Sequence, residues 1–267
     1  MPRLLHISDI HFGPKHRPEA AEGVLRLVED VQPDALVVSG DLTQRAKPRQ
    51  FQEARAFIDR VTVPVLTVPG NHDVPLYRGF FAERVFFPYR AYQRHFSEEL
   101  EPVLELPGLT LIGVNTAFNW TTKHGRITGR QLDRLEGQLR DLPEVGFRVV
   151  VIHHEMIPAP RFGLQTVMAH AWELADVLSS RGVDMVLAGH LHQAFVSTTE
   201  DYYAFGRRPV IVAHSGTTTS TRGRGGERGV SSCNLIQLDA GATEIRQLRW
   251  TGGTAGFEEH SVHRYRR

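Results

Sequence analysis

The sequence predicts an α/β protein in which two sheets pack together in one domain over residues 1–267. Three observations predict it. Strand, helix, strand, helix and strand alternate up to about residue 70, which is the signature of a parallel sheet. The same grammar returns after residue 149, and the chain then closes in a β-rich stretch. No change of composition marks a linker between these parts, and no short-period repeat is present.

The elements follow in order. The apolar run Leu4-Leu5-His6-Ile7 reads as a strand and ends in Asp9-Ile10-His11. A helix from about Glu19 to Val31 carries Ala21, Val24, Leu25 and Val28 on one face, and Pro33 stops it. Ala35–Val38 is the next strand and runs into Ser39-Gly40-Asp41. A second helix, about Pro48 to Arg60, begins with proline, which costs little where the first N–H has no partner. Val65–Val68 then leads into Gly70-Asn71-His72-Asp73.

Phe80, Phe81, Phe86, Phe87, Tyr89, Tyr92 and Phe96 read as a helical stretch broken near Pro88, packed under a sheet edge or forming a lid. Leu109–Val114 is a strand, and a helix from Thr128 to Leu139 has a threonine at its N-cap. Val149–Ile152 runs into His153-His154-Glu155, a helix from about Val167 to Ser180 follows, and Met185–Ala188 runs into Gly189-His190-Leu191-His192. The tail has strands at Ala194–Thr199, Val210–Ala213, Asn234–Leu238 and Glu244–Trp250, interrupted by a loop rich in Gly, Thr and Arg.

Composition excludes some classes. A net charge of +1 gives no general pull toward nucleic acid or anionic membrane. One cysteine, Cys233, allows no internal disulfide and fits a reducing compartment. The N-terminus enters a strand directly and no apolar run reaches the length of a membrane span, so a cytoplasmic protein is expected. A homodimer remains open.

The chemistry lies at the strand ends. In open α/β sheets ligands bind outside the carboxyl ends of the strands. Five strands here end in Asp-x-His, Gly-Asp, Gly-Asn-His-Asp, His-His and Gly-His-x-His. The donors are imidazole, carboxylate and amide oxygen without thiolate, a mixture suited to Zn, Mn, Fe or Co. They amount to seven ligands, too many for one tetrahedral ion and about right for two ions that share a carboxylate. Such a pair activates water for in-line phosphoryl displacement.

The ordered set Asp9-x-His11, Gly40-Asp41, Gly70-Asn71-His72-Asp73, His153-His154 and Gly189-His190-x-His192 resembles the calcineurin-like metallophosphoesterases, most of all their bacterial cyclic-nucleotide phosphodiesterase and glycerophosphodiesterase branch. The resemblance covers roughly residues 5 to 192. It implies the family's αββα sandwich, two mixed sheets packed face to face and flanked by helices. It implies Asp9, His11, Asp41 and His192 on one metal, and Asp41, Asn71, His153 and His190 on the other. His72 becomes the catalytic histidine. The cofactors are then two divalent or trivalent ions (Mn, Fe or Zn), and the substrate a small phosphodiester attacked by a metal-bridging hydroxide. A monoesterase or nuclease on the same centre is the alternative, and a catalytically silent scaffold is the rival of another class. One departure stands out: many relatives follow the paired histidines with proline, and this chain has Glu155.

The remaining polar residues are expected to be structural. His6 reads as a hydrogen-bonded core histidine, Asp73 as a residue that orients a loop or His72, and His214 as a neighbour of the ligands. His16, His95, His124, His170, His260 and His263 are expected to face solvent. The loop Thr217–Gly229 is either solvated or a rim that brings Arg222 or Arg224 to the substrate.

Overall fold

A computed structural model describes residues 1–76, 81–143, 145–159, 167–204, 208–252 and 256–266. Phe80 lies outside the described residues. The described chain forms two six-stranded mixed sheets.

In the first sheet, β1 (Arg3–Ile7), β2 (Ala35–Val38) and β3 (Val65–Thr67) run parallel. The helices α1 (Pro18–Val31) and α2 (Pro48–Ile58) connect them. On the other side of β1, the antiparallel strands β10 (Ser232–Leu238), β11 (Ala242–Trp250) and β12 (Phe257–Arg266) complete the order β12-β11-β10-β1-β2-β3. Two short helices, α3 (Phe81–Phe86) and α4 (Arg90–His95), follow β3. The second sheet has the order β4-β5-β6-β7-β9-β8. Its central strands β5 (Leu109–Gly113), β6 (Phe147–Val151), β7 (Met185–Ala188) and β9 (Ile211–His214) are parallel. The edges β4 (Val103–Leu106) and β8 (Phe195–Thr198) are antiparallel. Helices α5 (Gly129–Asp141) and α6 (Ala171–Ser180) flank it.

The period-two alternation of each strand assigns its side chains to two cores. Leu4, Ala35, Val37, Leu66, Leu111, Val149, Val151, Met185 and Leu187 meet between the sheets. The alternate residues Leu5, Ile7, Leu36 and Val38 pack on α1 and α2 through Val24, Val28, Phe51 and Phe57. Val150, Val186 and Val212 likewise pack on α5 and α6 through Leu135, Leu139, Leu174 and Leu178. Strands covered on both faces read as continuous apolar runs, which is why they were legible. The layers are helix, sheet, sheet, helix, as expected.

Several details differ from expectation. Helix α6 starts at Ala171, because Ala169 bridges Arg126 in extended pairing and His170 takes a left-handed φ of 65°. Strands β4 and β12 were not foreseen; both alternate polar and apolar residues weakly and lie at sheet edges. The break near Pro88 holds. Tyr92 is fully buried with its hydroxyl 2.6 Å from Thr67 Oγ1, but Phe86 and Phe87 are exposed rather than core. His16 and His95 are half-buried instead of solvent-facing, stacked on Phe12 and Phe51 respectively, and His263 is half-buried on β12. His124, His170 and His260 are exposed.

Candidate metal centre

The site forms where both sheets present the carboxyl ends of their parallel strands. Asp9 and His11 follow β1, Asp41 follows β2, and Asn71 and His72 follow β3. His153 and His154 follow β6, and His190 and His192 follow β7. The seven candidate ligands thus converge from two sheets. All are buried except His190, which is half-buried, and the candidate catalytic residue His72 is half-buried too.

The backbone is forced here. Asp9, His11, Asp41, His190 and His192 all have φ between 45° and 68°. They are five of the eight non-glycine residues with positive φ among the described residues. Each such turn costs about 1–2 kcal/mol, and residues held this way cluster at functional sites. Close approach also demands glycine. A Cβ on Gly70 would stand 2.2 Å from Asp41 Oδ1, and one on Gly189 would stand 1.9 Å from Ser8 Oγ.

Asp9, His11, Asp41 and His192 form the first cluster. His11 Nδ1 lies 3.2 Å from the Thr43 carbonyl oxygen, and His192 Nδ1 lies 2.9 Å from that of Arg222. Each imidazole therefore donates from Nδ1 and keeps a lone pair on Nε2. The two Nε2 atoms sit 3.0 Å apart. Asp9 Oδ1 lies 3.0 Å from His192 Nε2, and Asp41 Oδ2 lies 3.6 Å from His11 Nε2. Both of these carboxylate oxygens are buried and accept no hydrogen bond. The other oxygen of Asp9 is satisfied by Ser8 Oγ and the His190 N–H. Four lone pairs thus face one point, an arrangement that a cation satisfies.

Asp41, Asn71, His153 and His190 form the second cluster. His153 donates from Nδ1 to the Ser39 carbonyl oxygen at 2.7 Å. Its Nε2 lies 3.2 Å from Asn71 Oδ1 and 3.4 Å from Asp41 Oδ1. His190 Nδ1 lies 3.0 Å from Asn71 Oδ1. Asn71 donates its Nδ2 to the Thr122 carbonyl, which turns its amide oxygen toward the histidines. Asp41 places one oxygen in each cluster. The Nε2 of buried His154 has no partner, while its Nδ1 is held by Thr116 Oγ1 at 2.9 Å. With His153 and His190 it makes a group of three nitrogens that could also hold an ion.

The electrostatics reflect this crowding. Burial disfavours the His153 imidazolium, but the charge and hydrogen bond of Asp41, with Asp9 and the Ser39 carbonyl, together outweigh it and raise its pKa to about 10. Burial opposes the Asp41 anion, yet His153 and His72 hold its pKa well below the carboxylate range. Burial, joined by the charge of His192, takes His11 down to about 4 against its acidic neighbours. A positive charge is needed among these carboxylates, from a proton or from an ion.

His72 stands beside the first cluster, its ring centroid 5.0 Å from that of His11. Its Nδ1 is tied to the Gln44 carbonyl oxygen at 2.8 Å, leaving Nε2 to face the site. Asp73 is structural. Its carboxylate accepts from the N–H groups of Leu42, Thr43 and Gly70 and fixes the turn before His72. His6 is buried in β1, 2.9 Å from Ser39 Oγ. His214 stacks on Phe195, with Nδ1 3.1 Å from the Gly189 carbonyl oxygen.

Of two further residues near the site, Glu155 had no role assigned from sequence, and Arg222 was one of two arginines offered for the rim. Glu155 has a buried, unpartnered Oε2 that lies 3.7 Å from His190 Nε2. Its proximity to the paired histidines was the available signal. Arg222 approaches His72 from the far end of the chain, and no local pattern marks that contact.

Two packed mixed sheets with a buried Asp, His and Asn cluster at their joint strand ends define a metal-dependent phosphoric ester hydrolase. The chain belongs to the calcineurin-like phosphoesterase family, whose model matches residues 2–194. It is 28% identical over 254 residues to a probable cyclic nucleotide phosphodiesterase of Rhodococcus erythropolis, covering 88% of this chain and 79% of that protein. It is 30% identical over 204 residues to the 3',5'-cyclic adenosine monophosphate phosphodiesterase CpdA of Escherichia coli, covering 72% and 70%. A dimetal phosphatase from Danio rerio shares the fold with a TM-score of 0.66 at 12% identity, over 98% of both chains.

Proposed function

We propose that residues 1–267 act as one domain and hydrolyse a small phosphodiester, of the cyclic nucleotide or glycerophosphodiester type, on a centre of two metal ions. The observation that carries this reading is Asp41, whose two carboxylate oxygens face different donor clusters. Asp9, His11, Asp41 and His192 would hold one ion, and Asp41, Asn71, His153 and His190 the other. The donor set suits Mn, Fe or Zn. When bound, the ions supply the Lewis acidity that activates a water and neutralises the phosphoryl oxygens.

The chain's own residues do the rest. Carbonyl oxygens of Ser39, Thr43 and Arg222 lock the imidazoles with their lone pairs inward. With its Nδ1 held by Gln44, His72 has Nε2 at the site and, once the ring is protonated, would donate a proton to the leaving oxygen or stabilise its charge. The relatives named as cyclic nucleotide phosphodiesterases support the diester. A net charge of +1 gives no support for a nuclease. A silent scaffold would have lost ligands, and all seven are present. No helix among the described residues is long and apolar enough to cross a membrane.

The deciding experiment is a hydrolysis panel of bis-p-nitrophenyl phosphate, p-nitrophenyl phosphate, cyclic nucleotides and glycerophosphodiesters with Mn, Zn and Fe. Metal-dependent turnover of diesters well above monoesters is expected. Turnover of monoesters alone, or of nothing, would reject the reading.

A further inference from the structure

The loop from Ser215 to Gly229 is built into the metal centre. Ser215 and the run Thr217–Ser220 are buried, at 1% exposure or less. Thr217 Oγ1 donates to the Asp9 carbonyl oxygen at 2.7 Å, and Thr219 Oγ1 to that of Ile10 at 2.9 Å. The Thr218 N–H donates to the Ser8 carbonyl oxygen, and Thr218 Oγ1 accepts from the Ser8 N–H. The short hydroxyls thus satisfy the strained turn that carries Asp9 and His11. The backbone of Arg222 is then fixed by His192, whose Nδ1 donates to the Arg222 carbonyl and whose own carbonyl accepts from the Arg224 N–H.

This anchoring aims the Arg222 side chain at the centre. Its Nη2 lies 3.2 Å from His72 Nε2. Because His72 Nδ1 is tied to Gln44, Nε2 of the neutral ring accepts this bond. Arg222 Nη1 is buried and has no partner. No carboxylate forms an ion pair with this guanidinium among the described residues; the acidic charges that act on it most are Asp41 and Asp9, both candidate ligands, and Arg45 and Arg224 add like charge. A buried donor left unpaired is costly, and more so on a charged group. With Asp41 and Asp9 bound to cations, the guanidinium would face still more positive charge. An anion in the site would complete it. A planar fork with free donors matches phosphate oxygens. Arg224, by contrast, is exposed.

We propose that Arg222 is the phosphate-positioning residue of this centre, holding a non-bridging oxygen of the substrate beside His72. This rests on the phosphoester reading above. The test measures binding as well as turnover. Inorganic phosphate is titrated calorimetrically into Mn-loaded wild type, Arg222→Met and Arg222→Lys, with metal content measured on each. Methionine keeps an apolar stem and removes the guanidinium; lysine restores charge without the fork.

Arg222→Met should raise the phosphate Kd about 10- to 100-fold, the worth of a charge-assisted hydrogen bond. Metal content should stay at the wild-type value, and Arg222→Lys should recover part of the affinity. A Kd within twofold of wild type, or a metal loss that accounts for the whole change, overturns the proposal. Wild-type protein that hydrolyses no ester yet binds phosphate through Arg222 would defeat the proposed function and leave this assignment standing.

Discussion

The Nε2 atoms of His11 and His192 lie 3.0 Å apart, and each ring has its Nδ1 beside a carbonyl oxygen. Two lone pairs at that distance repel unless a cation lies between them. Substituting either histidine should therefore release one ion, and Asp41→Ala should release both. Elemental analysis of the purified variants checks this. Two ions retained by Asp41→Ala would exclude a shared carboxylate.

Metal removal should also cost stability. Asp9 Oδ1 and Asp41 Oδ2 are buried without hydrogen bonds, so stripping the ions leaves their charge uncompensated. Binding to the folded state adds about 2.7 kcal/mol when free metal is a hundredfold above its Kd. Chelator should lower Tm by several degrees, and added Mn should restore it. An unchanged Tm in melting curves would argue against resident metal.

His72→Ala should lose more activity on diesters with poor alkoxide leaving groups than on bis-p-nitrophenyl phosphate. A p-nitrophenolate scarcely needs a proton, whereas an alkoxide does. General acid catalysis contributes about 10²–10⁴-fold, so the gap between the two substrates should approach the lower end of that range. Equal losses in kcat on both substrates would place His72 in phosphate binding instead.

Glu155 and His190 form a carboxylate–imidazole contact of 3.7 Å behind the second cluster. Partners of this kind orient a ligating histidine and typically change metal affinity 10- to 100-fold. Glu155→Ala should therefore weaken one of two ions by about that factor in a competition with a chelator. Glu155→Gln, which can still accept a bond from Nε2, should weaken it less. Equal affinities in all three proteins would make Glu155 a bystander.

Gly70→Ala should damage the centre without touching a ligand. Its new methyl would stand 2.2 Å from Asp41 Oδ1, and the facing atom belongs to a carboxylate that cannot retreat. Overpacking of this kind costs about 1–3 kcal/mol. Lower Tm together with reduced metal content is expected; normal values of both would mean that the turn relaxes.

The sequence alone determined the fold class, because strands buried on both faces need unbroken apolar runs and their helices need one apolar stripe. It also determined which residues lie at the strand ends, since Asp9, Asp41, Asn71, His153 and His190 each stand just past such a run. Periodicity did not reveal β4 and β12, whose edge positions leave one face in water and blur the alternation. Nor could it separate a solvated loop from the buried hydroxyls of Thr217–Ser220, because their partners, the backbone of Ser8, Asp9 and Ile10, lie about two hundred residues away in the chain. Only the tertiary structure decided that Asp41 turns one oxygen to each cluster, that Glu155 stands behind His190, and that Arg222 reaches His72. Those relations depend on where side chains meet across two sheets and on which hydrogen bonds are left unmade. Neither quantity is local in the chain.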